Sequence, residues 1–353
     1  MIDADTLRDL LDEHSHALSL YLSLDPGQRD ARAPADRLRE KLREADSALE
    51  RAGVAETPRR ELLAGAGELA SGIDFARHRD PGLALFVAPG RRLLVDLPEA
   101  VAECVVAGRH FHIKPLLGLV ARNRRFHLLA VSAGQARLYD ATPFALSERR
   151  LPLPAAQPAA GSGDTTTPRH PPLLDHLRQV ADAVAAELGS DPAPVLLAAE
   201  PEAAGHFRKL ADLPRLEAET LHVNPFALSP ADLHRRAVDA LRPAFTAEAA
   251  AVLDQIRARL GTAEPTVAIR LEEIVAAAAV GRVDVVVVAE DEDIWGTFDA
   301  KDGTVTGHGT LAGGDEDLLN LAALLTLRTG GRALSATRAE LPRGAPAAAA
   351  LRY

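Results

Sequence analysis

The stretch Arg125–Asp140, RFHLLAVSAGQARLYD, holds two apolar runs with almost no chain between them. Residues 125–132 and 135–139 read as neighbouring strands, and Ala133-Gly134 reads as their turn. Gly134 is expected to supply the positive φ or bulge that so tight a connection needs. In the second run Ala136 and Leu138 alternate with Arg137 and Tyr139, the pattern of a half-buried sheet. A hairpin here opens a sheet in the middle of the chain.

Downstream, residues 144–151 form a third strand-like run. The segment 152–173 is dense in Pro, Gly, Ser and Thr and reads as a long loop. Helix (173–188), strand (194–199), helix (203–210), short strand (218–222) and a long helix (230–260) follow. Strands alternating with helices imply a partly parallel, covered sheet. The last third repeats the alternation: a helix over 267–280, then the valine-rich strand VDVVVVAE, whose unbroken apolar run suits a central position. A hairpin around Lys301-Asp302-Gly303, a helix over 316–327, a strand over 332–336 and the short AAAALRY complete it.

Upstream, Leu7, Leu10 and Leu11 make a helical pattern and His16–Leu24 a strand-like one. Leu38, Leu42, Ala45 and Leu49 share one helix face, with Pro34 near the start and Gly53 near the stop. A second helix covers about 58–71, and GLALFVAPGRRLLVDLP is a hairpin turning at Pro89-Gly90. The fold class expected is α/β in three domains. They are an α+β N-terminal domain (1–118), a central domain (119–245) with the loop 152–173, and an α/β/α C-terminal domain (246–353).

The 353 residues suffice for two or three domains. One cysteine, Cys104, excludes an intramolecular disulfide and any Cys-x-x-Cys zinc pattern. No basic stretch followed by an apolar run opens the chain, and the longest apolar run, 283–289, is far short of the roughly 20 residues of a membrane span. The expectation is a soluble, cytoplasmic protein without membrane contact. Net charge is −10, which argues against indiscriminate coating of nucleic acid and against a DNA partner. The charge is uneven, however: residues 101–150 carry eight Lys/Arg against three acids, and residues 265–353 eight against thirteen. A basic middle could meet RNA, and Arg122, Arg124, Arg125, Arg149 and Arg150 form the candidate RNA-binding patch.

The loop is the other functional candidate, because long loops in compact domains are usually functional or disordered. Gly161, Ser162 and Gly163 supply flexibility, and Arg169 and His170 supply charge and a proton carrier. Two His-x-His pairs, His14/His16 and His110/His112, could each chelate zinc from a strand. His14 and His16 are expected to straddle a helix end, and no carboxylate or third histidine is spaced to complete either site. No metal and no cofactor is expected. Glu290–Asp293 reads as a solvated acidic turn. GHGTLAGGDEDLLN misses both phosphate-loop spacings and reads as a turn plus N-cap, its acids unfavourable to phosphate at a helix N-terminus. Cys104 sits among apolar residues and reads as buried rather than nucleophilic. Gly-x-Ser-x-Gly and His-Glu-x-x-His are both missing from the sequence.

Four stretches in register, HIKPLLGLVARNRRFHLLAVSAGQARLYD, GRVDVVVVAE…WGTFD, DLLNLAALLTLRTGG and the terminal AAALRY, resemble the bacterial archaeo-eukaryotic release factor family, its third subgroup above all. The resemblance implies a family-specific N-terminal domain, a central domain of RNase H-like topology and a C-terminal domain like Pelota and the kink-turn RNA-binding ribosomal proteins. It implies a bacterial, translation-associated factor that binds ribosomes or tRNA. In the archaeo-eukaryotic release factors the Gly-Gly-Gln that cuts peptidyl-tRNA sits in the loop after the opening strands of the central domain. Here that loop is AAQPAAGSGDTTTPRH, where Gln157 precedes Gly161 and Gly163 and no glutamine follows them. Ala133-Gly134-Gln135 lies in the wrong element. Peptidyl-tRNA hydrolysis therefore lacks its motif, and a non-catalytic adaptor with protein partners is the alternative.

Overall fold

The expected hairpin at Gly134 forms, in a computed structural model that describes residues 4–25, 32–78, 80–153, 172–262, 265–308 and 312–353. The chain divides into two compact units, Asn123–Phe245 and a unit made of both ends, Met1–Arg122 with Thr246–Tyr353.

The N-terminal segment of the two-ended unit runs α1 (Ala4–Arg8), β1 (Glu13–Ser23), α2 (Arg32–Arg51), α3 (Glu56–Ser71), β2 (Gly82–Ala88), β3 (Arg91–Leu97), β4 (Cys104–His110) and α4 (Lys114–Arg122). Its antiparallel sheet has the order β3-β2-β1-β4. Alternation along β1 sends Leu18, Leu20 and Leu22 to the face covered by α2 and α3, where Leu38, Ala45, Leu49 and Leu62 meet them. The opposite residue Tyr21 packs edge-on to Phe86, and Phe86 edge-on to Phe111. Ala88 pairs with Arg91 across Pro89-Gly90, and Gly90 has the positive φ (74°) that so short a turn favours.

The middle unit comprises β5 (Phe126–Val131), β6 (Ala136–Thr142), β7 (Ala145–Arg149), α5 (Pro172–Leu188), β8 (Val195–Ala199), α6 (Pro201–Leu210), β9 (Leu216–His222) and the first part of α7 (Pro230–Gly261). The sheet order is β7-β6-β5-β8-β9. β5, β6 and β7 are antiparallel neighbours, and β5, β8 and β9 are parallel. One face takes Leu177, Val180 and Val184 of α5 and Phe207 of α6; the other takes Leu233, Ala237, Leu241 and Phe245, four residues apart on α7. Helices on both faces explain why β6 is not half-buried as its alternation suggests. Leu138 faces the α5 side while Tyr139, 4% exposed, is buried under α7. Val131 pairs with Ala136, and the turn is closed by Ser132, whose N–H donates to the Gln135 carbonyl (2.8 Å) and whose Oγ accepts from the Gln135 N–H (3.2 Å). Gly134 is not among the positive-φ glycines, so the expected positive φ is not found there; the main chain and side chain of Ser132 do the closing.

α7 carries Pro243 in its interior and passes into the two-ended unit at Thr246. The C-terminal segment continues with β10 (Val267–Ala268), α8 (Leu271–Ala279), β11 (Val283–Ala289), β12 (Trp295–Asp299), β13 (Thr304–Gly307), β14 (Glu316–Asp317), α9 (Leu318–Arg328), β15 (Arg332–Ala336) and β16 (Ala347–Leu351). The sheet order is β10-β16-β11-β15, with β11 central as its valines predict. The helix expected from Val267 starts only at Leu271, because Val267 and Ala268 pair with Ala350 and Ala349. β16 forms from residues with the highest helix propensity. Its backbone is taken by β11 on one side and β10 on the other, and Ala347–Ala349 are fully buried. No described helix is long and apolar enough to cross a membrane.

Candidate functional site

In the middle unit two of the predicted basic residues, Arg125 and Arg149, are engaged by carboxylates. Arg125 Nη2 lies 2.9 and 3.0 Å from the two Asp191 oxygens, and Arg149 Nε lies 2.9 Å from Asp140 Oδ2, with Glu187 at 3.6 Å. Between Asp140 and Asp191 stands His127, fully buried on β5: its Nδ1 is 2.9 Å from Asp140 Oδ1 and its Nε2 is 3.4 Å from Asp191 Oδ2. The result is a line of alternating charge, Arg149–Asp140–His127–Asp191–Arg125. The Ala193 N–H, then Arg125 and His127, outweigh burial and hold the Asp191 carboxyl below its ordinary range. Arg124 and Arg150 are exposed. Arg122 belongs to the other unit, where it pairs with Glu99 at 2.7 Å. The candidate loop residues Gly161, Ser162, Gly163, Arg169 and His170 lie outside the described residues.

The two-ended unit contains a polar cluster that sequence spacing did not reveal. Asn320 on α9 accepts from the N–H groups of Ile113 (2.7 Å) and Lys114 (3.0 Å) and donates to the Phe111 carbonyl (3.0 Å). A side chain two hundred residues away thus caps α4, whose own Ile113 has no capping group. Asp317 is the N-cap of α9, accepting from Leu319 N–H at 3.1 Å, and also accepts from Ile294 N–H at 3.2 Å. The N-cap expected in GHGTLAGGDEDLLN is therefore present. Its other oxygen is 2.8 Å from Lys114 Nζ, which also contacts Asp293 Oδ1 (2.5 Å) and the Glu292 carbonyl (2.5 Å). Burial disfavours the Lys114 ammonium, but Asp317 and Asp293 outweigh it and raise its pKa above the ordinary lysine value.

His112 completes the cluster. Its N–H donates to Ser19 Oγ (2.9 Å), its carbonyl accepts from Tyr21 Oη (2.5 Å), and its Nδ1 lies 4.0 Å from Asp317 Oδ2. Burial keeps the imidazole below its ordinary pKa, against the pull of Asp317. The pair His110/His112 does not converge on one point. His110 Nδ1 meets Glu316 at 3.0 Å, while His112 turns to Asp317. The carboxylates missing from the local spacing, Asp293 and Asp317, come from the far end of the chain. His14 and His16 both lie in β1, not across a helix end, and His14 packs against Phe111.

His112, Lys114, Asp293 and Trp295 line a cavity of about 440 Å³ together with Cys104 and Asp315. The acidic run is more than a solvated turn. Glu290 accepts from Ser335 Oγ, Asp291 from Arg338 N–H, Glu292 pairs with Arg338, and Asp293 with Lys114. Burial pushes the Cys104 thiol up to about 12, which removes it as a nucleophile at neutral pH.

A model of "Bacterial archaeo-eukaryotic release factor family 3" matches residues 125–282. No curated protein matches the chain. Among solved structures the chain is similar to an archaeal translation termination factor, aRF1, at 16% identity, with 99% of this chain and 97% of that one covered and a TM-score of 0.26. It is also similar to archaeal Pelota in a ribosome-bound model with ABCE1 (14% identity, 100% and 95% covered, TM-score 0.40). Dom34 of S. cerevisiae, a translation termination-like factor, matches at 12% identity over 75% and 74% of the two chains, with a TM-score of 0.37. Over residues 125–282, the segment that begins with the central hairpin, the chain is similar to bacterial archaeo-eukaryotic release factor family 3.

Proposed function

We propose that this chain is a translation-associated factor that binds ribosomes or tRNA without a Gly-Gly-Gln-dependent hydrolytic step. The observation that carries the reading is the family match over 125–282, a segment that includes Arg125, Arg149 and Arg150 of the basic patch. Antiparallel opening strands followed by parallel β8 and β9 support an RNase H-like assignment for residues 119–245, between a family-specific N-terminal domain and a Pelota-like C-terminal one. Exposed Arg124 and Arg150 are the side chains proposed to meet phosphate, with Arg122, Arg125 and Arg149 contributing through their already paired guanidinium groups.

Co-sedimentation with ribosomes through sucrose at low and high salt tests this. Phosphate contacts predict migration with ribosomes that weakens as salt rises, and weakens further in an Arg124→Glu/Arg150→Glu variant. A variant that migrates like the wild type sinks the phosphate assignment. A second reading, an adaptor for protein partners, is favoured by one observation: Arg122, Arg125 and Arg149 are committed to carboxylates of their own unit. A protein that stays at the top of the gradient at every salt makes that reading the leading one.

A further inference from the structure

We propose that His112, Asp293 and Asp317 form a binding site for a divalent transition-metal ion of the zinc type, opening on the cavity beside Trp295. Three independent features of the two-ended unit point there. The first is proximity: each of the three residues presents a ligand atom within 4.8 Å of the others. The second is His112 itself. Its side chain is only 5% exposed, it lines the cavity, and its Nδ1 has no hydrogen-bond partner. A buried ring nitrogen without a partner costs free energy, which a ligand entering from the cavity side could offset. A metal ion would do so.

The third feature is the character of the donors. One imidazole and two carboxylates suit zinc and its neighbours better than magnesium or calcium, which prefer oxygen alone. Asp317 is oriented by the Ile294 and Leu319 N–H groups on one oxygen, leaving the other facing Lys114 and His112. Hydrogen bonds behind a carboxylate are the usual support of a metal ligand. Three protein ligands and an open cavity are the composition of a site that keeps positions for water or a further ligand.

Lys114 sets the condition. Its ammonium contacts both carboxylates, so it neutralises them when no ion is bound and competes with an incoming cation for the same oxygens. Metal binding therefore requires Lys114 to leave those contacts, and its removal should tighten binding.

The test is titration of the full-length, metal-stripped protein with Co²⁺ and with Zn²⁺. It is followed by Co²⁺ absorption, by quenching of Trp295, the single tryptophan, and by the melting temperature. The expected result is one equivalent bound, with a raised melting temperature and quenched Trp295. His112→Ala and Asp293→Asn should both lose the response, His110→Ala should keep it, and Lys114→Met should bind more tightly. Asp293 is half-exposed, so its variant keeps the test valid if the buried His112 change impairs folding. A wild-type protein with no saturable response overturns the proposal whatever Lys114→Met does. So does a response that survives in both His112→Ala and Asp293→Asn.

Discussion

Each unit buries a histidine among carboxylates and cations, and the two clusters are built differently. In the middle unit, His127 lies in a line in which every carboxylate has its own arginine: Asp140 has Arg149 and Asp191 has Arg125. Its members span residues 125–191, on and beside one sheet. In the two-ended unit, fully buried Asp317 has one cation, Lys114, and the members come from residues 112–114 and 293–320. The first arrangement is redundant and closed. The second is singly compensated and opens on a cavity. Redundant charge suits a structural role, whereas a singly compensated buried pair that opens on a cavity suits a site where something binds.

The largest effect that could break this contrast is at Asp317. Asp317→Ala removes the N-cap of α9 and leaves Lys114 buried against one half-exposed partner, so a loss of about 3–5 kcal/mol is expected. Urea denaturation followed by Trp295 fluorescence reads it, because Trp295 lies in the same unit. A loss below about 1 kcal/mol would show that the cluster does not hold the two ends together.

His127→Leu should cost less, about 1–2 kcal/mol, since each carboxylate keeps an arginine. Circular dichroism in urea measures it. A cost equal to that at Asp317 would erase the distinction between redundant and single compensation.

Glu316 sharpens the comparison through pH. Burial raises its pKa, but hydrogen bonds from His110 and from the Arg109 and His110 N–H groups outweigh it and leave the carboxyl below its ordinary 4.5. A depressed folded-state pKa means stability that is complete above about pH 4.5 and lost as pH falls through the lower folded value. Glu316→Gln should flatten that acid limb while leaving the neutral-pH midpoint lower. Denaturation midpoints between pH 6 and 3 check this, and an unchanged acid limb would contradict it.

The smallest effect is expected at the hairpin. An added Cβ at Gly134 meets nothing within 4 Å, and its φ is not positive. Gly134→Ala should therefore change stability by less than about 0.5 kcal/mol and leave ribosome co-sedimentation intact. A large loss of co-sedimentation with normal stability would return Ala-Gly-Gln to the functional candidates.

Periodicity alone determined most elements of this protein. The paired runs of Arg125–Asp140, the Pro89-Gly90 hairpin, the 3.6-residue face of Leu38, Leu42, Ala45 and Leu49, and the central VDVVVVAE strand are all legible, because each is a local pattern of burial. An N-cap before α9 is legible too, but its position is not: the helix expected from 316 starts at Leu318, with Asp317 as the cap. Tertiary structure decided the rest. α4 is capped by Asn320 across two hundred residues, and the terminal alanines become a strand because β10 and β11 supply partners that propensity cannot foresee. Tyr139 is buried because α7 covers the face its alternation assigns to solvent. The carboxylates that complete His112 come from 293 and 317, so no spacing rule could place them beside it. Local sequence fixes which backbone form is cheap. Which side chains share a buried space depends on long-range packing, and in this chain both polar clusters are products of that packing.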